Sequence, residues 1–153
     1  MIRTLGGPGP PPRRDRPSPR HPVGVAPSSL YQRVGGDTFF EMLTRRFYAS
    51  LRDDPLLGAL YPDDEAAFEA ARVNLRDFLV QFSGGPTTYG DRRGHPRLGA
   101  RHAQFRITRA ARDAWVRHML AALSASEAGA METAQLTSYF ESAATHLVNA
   151  ADD

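Results

Sequence analysis

Cysteine is absent from the chain. That excludes disulfides, thiolate zinc sites, iron–sulfur clusters and cysteine catalysis together, so any metal would be held by histidine, carboxylate or a cofactor. Long apolar runs are missing too: nothing approaches the roughly 18 residues that span a bilayer, and the N-terminus lacks the apolar stretch of a secretion signal. A cytoplasmic protein without a membrane span is expected. No GxSxG elbow marks a serine hydrolase, and no phosphate-cradling glycine loop is present. Lysine is also lacking, all nineteen basic residues being arginine. Because arginine does not titrate below about pH 12, this keeps the sequence pI near 9.4 without making the chain a nucleic-acid binder.

The net charge of +2 is unevenly spread. Residues 1–27 hold five arginines against one aspartate, together with eight of the twelve prolines, so residues 28–153 are mildly acidic. With almost no large apolar side chains, the first 27 residues cannot offset the entropy of ordering and read as a disordered Pro/Arg-rich extension. A basic arm contacts phosphates nonspecifically, but without interleaved aromatics it gives no specific nucleic-acid partner. The rest, residues 28–150, reads as one domain with 41% hydrophobic content across the whole chain, enough for a single core.

That domain is all-α by its periodicity, with no sustained strand alternation. Asp37 is expected to cap a first long helix with Phe40, Leu43, Phe47 and Leu51 on one face, ending near Asp53-Asp54-Pro55. A short turn carrying Leu56, Leu57 and Leu60 leads to Tyr61-Pro62. The second long helix starts near Asp64, turns Phe68, Ala71, Leu75, Phe78, Leu79 and Phe82 inward, and stops at Gly84-Gly85-Pro86. Pro86 to Pro96 reads as loop, then a short helix from Leu98 to about Phe105. Thr108 caps a third long helix with Trp115, Met119 and Leu123, and a fourth runs from about Glu132 to Asn149 with Leu136, Phe140, Ala143 and Leu147.

A loop of that length between bundle helices asks for a functional reason. It sits between the second long helix and a short one that presents Arg101 and His102. Zinc does not fit, because no HxH, HxxxH or HExxH pairing occurs and His95 and His102 are separated by a proline and a glycine. Asp53-Asp54 and Asp63-Asp64 sit at helix ends, where capping accounts for them. His95 reads as a loop residue, His118 and His146 as helix residues, and His21 falls in the extension. What remains is one axial histidine on a group that brings its other ligands with it, the way haem iron is held. A large flat apolar disc with two carboxylates wants Phe, Leu, Met and Tyr around it and an arginine at the rim, and these residue types are present.

FYASL, LYPDD, FSGGPTTYGDRRGHPRLGARHAQFRIT and RDAWVRHM resemble the group II truncated haemoglobins, two-over-two globins of actinobacterial type. The likeness runs from Ser28 to about Asn149. It implies a two-over-two globin fold, haem b (iron protoporphyrin IX) as cofactor, and His102 as the proximal metal ligand. It implies distal polar groups at Tyr48, Tyr61 and Trp115, and a haem pocket that includes Ala71, Leu75, Phe78 and Phe105. Ala71 matches the place of the usual distal histidine and leaves a short access route. For the haem propionates the resemblance suggests Arg101 first, then Arg97 and Tyr89, with Asn74 where a basic residue often stands.

Dioxygen and other diatomic gases are the ligands so implied, with a reductase and an oligomeric assembly as further partners. Several donors around one small ligand slow its escape, which favours nitric oxide dioxygenation or peroxide turnover over bulk oxygen transport. The alternatives are a gas sensor or oxygen store whose N-terminal extension docks a partner, and a cofactor-free helical interaction domain.

Overall fold

The computed structural model describes residues 28–153, and the disorder expected of residues 1–27 lies outside them. Among the described residues all regular structure is helical. A short α1 (Leu30–Val34) leads into α2 (Asp37–Leu51), a 3-10 turn (Gly58–Leu60) precedes α3 (Glu65–Phe82), and α4 (Thr88–Arg93) and α5 (Leu98–His102) are both brief. The chain closes with α6 (Arg109–Ser124) and α7 (Ala130–His146).

Two helix pairs make the body, α2 with α3 and α6 with α7, and α2 packs on α6 to join them. The expected stripe forms that seam. Phe40, Leu43, Phe47 and Leu51 are fully buried and share one cluster with Met119 and Leu123 of α6 and Leu136 and Phe140 of α7. Each such side chain removed from water contributes about 1.5–3 kcal/mol, so packing rather than helix propensity holds the pairs together. An ionic web around one buried arginine fastens α2 to α3. Arg72, 4% exposed, donates to both Glu69 oxygens at 2.9 and 2.6 Å, to Glu41 at 3.2 Å and to the Thr44 hydroxyl at 3.2 Å. Hydrogen bonds from Arg76 and then Arg72 pull the Glu41 carboxyl down to about 2 against the opposing effect of its burial.

Capping follows the sequence at two ends and departs from it at one. Asp64 accepts from the Ala67 N–H at 2.8 Å and Thr108 from the Ala111 N–H at 3.0 Å, starting α3 and α6. Asp37 does not cap α2: Gly36, at φ 73°, holds the cap position and Asp37 is the first helical residue. Its carboxylate accepts the Tyr31 hydroxyl at 3.0 Å instead, which ties α1 to α2. α1 itself was not expected, since five residues are too few to show a period. It docks where α3 stops: the Tyr31 N–H donates to Ser83 O at 2.8 Å, and a Cβ on Gly85 would lie 2.6 Å from the Tyr31 ring.

Three further expectations are corrected. The supposed loop between Pro86 and Pro96 contains α4, which has no apolar stripe and is held from outside. The Gly90 N–H donates to the Gln81 side chain at 2.7 Å, and Arg92 donates to Asp77 and Asn74, each at 3.0 Å. Phe82 was expected inward but, as the last residue of α3, is half exposed, with its ring stacked on Tyr139 at 3.9 Å. The chain leaves α7 at His146, not Asn149, and α5 ends at His102. Asn149 folds back on the segment after α5, exchanging bonds of 2.9 Å with Ile107 through its backbone N–H and side-chain oxygen, and donating to Phe105 O at 2.8 Å.

Candidate functional site

A cavity of about 410 Å³ opens between the two helix pairs. That is within the usual size of small-molecule sites. Its lining takes residues from every element between α2 and α7. Ala71, Leu75 and Phe78 stand at i, i+4 and i+7 on α3 and form one apolar wall. Tyr89, buried on α4, packs edge-on against Phe78 at 5.6 Å, and Phe105, at 37% exposure, closes the side toward solvent.

His102 reaches the cavity from the end of α5. Its Nδ1 lies 2.7 Å from the carbonyl oxygen of Leu98, which can only accept, so Nδ1 carries the proton. Nε2 is left with its lone pair and has no hydrogen-bond partner among the described residues. This is the tautomer that a metal-bound histidine needs, with the ring orientation set by a backbone carbonyl. A five-residue helix is enough because Leu98 is one turn back from His102. Arg97, which precedes it, turns the chain into α5 at φ 45°, a left-handed conformation rare for a side chain of its size.

Tyr48, Tyr61 and Trp115 meet in one aromatic cluster at the cavity. The Tyr48 and Tyr61 rings are edge to face at 5.5 Å, Tyr48 contacts Phe68 at 5.2 Å, and Trp115 contacts Phe47 at 5.1 Å. Burial raises the Tyr61 hydroxyl to about 12, while hydrogen bonds from the Trp115 indole and the Tyr48 hydroxyl act the other way. Tyr48 is raised further, by burial first and then by the nearby Tyr61 phenol. Both phenols are therefore protonated at any ordinary pH. All three side chains line the cavity, so two phenol O–H groups and one indole N–H are the donors it offers to a small ligand.

The arginines at the rim differ in what they already hold. Arg101 lines the cavity but donates to Pro96 O at 2.8 Å and to Arg93 O at 2.9 Å, with its guanidinium 6.0 Å from the Tyr89 ring. Arg97 is exposed and does not line the cavity, its backbone N–H donating to the His95 ring at 3.2 Å. Arg93, which sequence reasoning passed over, does line it, with its guanidinium 5.9 Å from the Tyr89 ring and no acidic partner among the described residues. Nothing in the sequence distinguishes Arg93 from Arg92, which turns to Asp77. Asn74 lines the cavity and is the acceptor for Arg92.

The residues fit haem. One free imidazole nitrogen, apolar and aromatic walls, a protonated phenol cluster and basic side chains at the rim match an apolar disc with an axial position and two carboxylates. No group of three or more His, Asp or Glu side chains that could hold a bare ion occurs among the described residues.

Comparison with known proteins gives the same family from three directions. Residues 29–149 match the family described as bacterial-like globin. A group 2 truncated hemoglobin of Lotus japonicus is 36% identical over 101 residues, which is 65% of this chain and 58% of that protein. The hemoglobin of the actinobacterium Thermobifida fusca superposes with a TM-score of 0.76 at 43% identity, covering 80% of this chain and 98% of that one. A truncated oxygen-avid haemoglobin of Bacillus subtilis superposes at 0.74 with 31% identity, covering 80% and 100%.

Proposed function

The chain belongs to the bacterial-like globin family and is a haem-binding globin, and on that premise we propose that it binds haem b through His102 and holds a diatomic ligand against the Tyr61 hydroxyl for redox chemistry. The observation that carries this reading is the His102 ring, locked by Leu98 in the tautomer that leaves Nε2 free in the same cavity as the protonated tyrosine pair. Haem, when bound, would supply an iron that binds dioxygen, nitric oxide or peroxide and exchanges electrons with it. The chain supplies the rest.

Ala71, Leu75, Phe78 and Phe105 would give the disc apolar contact and exclude water from it. Tyr89, Arg93 and Arg101 line the cavity and would hold the carboxylates of the disc, and Arg97, which does not reach the lining, has the weakest case. Tyr61 donates to a ligand that takes on negative charge. Tyr48, edge-on to Tyr61 at 5.5 Å, and Trp115 line the same cavity and stand as further donors to that ligand. Hydrogen bonds to a charged group are worth about 1.5–3 kcal/mol, so a ligand stays long enough to react. That retention favours nitric oxide dioxygenation or peroxide turnover, with electrons from a reductase, over bulk oxygen transport, and it agrees with the oxygen avidity of the Bacillus subtilis relative.

Absorption spectra of the purified protein, ferric, reduced, and then exposed to carbon monoxide or dioxygen, test the reading. A Soret band that moves with reduction and ligand, and is lost in His102→Ala, is the expected result. A visible spectrum that stays flat after haem is added back would overturn it.

A further inference from the structure

The 3-10 turn that delivers Tyr61 is seated on the core by Leu57, 2% exposed, and its polar tie across the fold is a histidine. His118 on α6, half-buried at 20% side-chain exposure, sits 2.7 Å through Nε2 from Oδ2 of Asp54, whose carboxylate is 8% exposed. The two residues are 64 positions apart. The other oxygen of Asp54 accepts the backbone N–H groups of Leu56 and Leu57 at 2.8 and 3.0 Å, and its backbone carbonyl accepts Gly58 N–H at 2.8 Å. From there the bonds run on: Leu60 N–H to Leu57 O at 2.8 Å and Tyr61 N–H to Gly58 O at 3.4 Å. His118 is three residues after Trp115 on the same helix, so the two face the same side of α6.

These contacts form a chain from His118 to Asp54 and along the turn to Tyr61, which lines the cavity together with Trp115, one turn before His118 on α6. We propose that His118 and Asp54 are positioning residues for the ligand site, a clamp that holds the Tyr61 turn in register with Trp115. The proposal rests on the haem reading above but concerns only how the donor is held. Arg117 does not share the duty: its guanidinium is 3.8 Å from Asp54 and 68% exposed, a distance and exposure at which an ion pair contributes little. Nor is the carboxylate needed merely to end α2, since both of its oxygens are already taken by the turn and by His118.

Three variants of the full chain test this: His118→Leu, which removes the donor at similar volume, His118→Gln, which restores an N–H donor, and Asp54→Asn. Two readouts are taken. The carbon–oxygen stretching band of the carbon monoxide complex reports the donor facing the ligand, and amide hydrogen exchange at Leu56, Leu57 and Tyr61 reports the turn. The expected result is a second, higher-frequency band and about fivefold faster ligand dissociation in His118→Leu, with exchange at those amides accelerated, and both largely restored in His118→Gln. Asp54→Asn, which loses the charge and keeps one acceptor oxygen, is expected between the two. An unchanged band in His118→Leu, or a glutamine variant that behaves as the leucine one, would overturn the clamp. Should the parent protein take up no haem, the functional reading fails, and the exchange measurement still decides the clamp.

Discussion

Tyr61→Phe is the substitution whose consequences the geometry specifies most closely. Tyr61 lines the cavity beside Tyr48 and Trp115, and its hydroxyl is the donor proposed to meet a ligand. Removing the hydroxyl takes away that hydrogen bond to a charged partner, about 1.5–3 kcal/mol, or about ten- to 150-fold in dioxygen dissociation rate. Trp115, which lines the same cavity, can take over part of the duty and reduce the loss. For Tyr48→Phe, which keeps Tyr61, about 0.5–1.5 kcal/mol, or two- to twelvefold, is expected. The assay is stopped-flow replacement of dioxygen by carbon monoxide on Tyr61→Phe, Tyr48→Phe, Trp115→Phe and the Tyr61/Trp115 double variant. The double variant should lose more than the product of the two single losses if Trp115 substitutes for Tyr61. A Tyr61→Phe rate within twofold of the parent, with Tyr48→Phe equal to it or faster, would refute Tyr61 as the principal donor.

Other consequences are as direct. Tyr61 is raised to about 12 by burial, as is Tyr139, and Tyr48 is raised as well, so in this alkaline range the unfolded chain ionises first; stability should hold up to pH 10 and then fall toward pH 12 by about 1.4 kcal/mol per pH unit for each such phenol, visible in denaturant titrations. Glu41 and Asp54 are both lowered to about 2, so their contribution is intact above about pH 4.5 and lost as pH falls toward 2; Glu41→Gln should flatten that part of the acid profile. Arg93→Gln should speed haem transfer to an apoglobin acceptor severalfold with the thermal midpoint unchanged, whereas Arg101→Gln, which frees Pro96 O and Arg93 O, should lower the midpoint as well. Arg97→Gly relieves a left-handed backbone worth about 1 kcal/mol and should leave haem retention intact, so a marked loss of haem would return Arg97 to the carboxylate site.

The periodicity of residues 37–51 and 65–82, and the capping residues Asp64 and Thr108, were enough to foresee four long helices and the buried face of α2. His102 could be singled out as well, because the chain spends a loop and a short helix on presenting it and no second histidine stands at metal-binding spacing. What sequence alone could not carry is anything held by partners far along the chain. α4 has no apolar period and forms because Gln81, Asp77 and Asn74 hold it, and Asn149 reads as the end of a helix until it is seen clasping the segment after α5. The same holds for the division of labour at the rim, where adjacent arginines face different ways, and for His118, a plain helix histidine until Asp54 lies against it. Local pattern records which faces must leave water, a property of spacing alone. Which polar groups then find one another depends on how the buried faces stack, and that was decided only when α2 closed on α6.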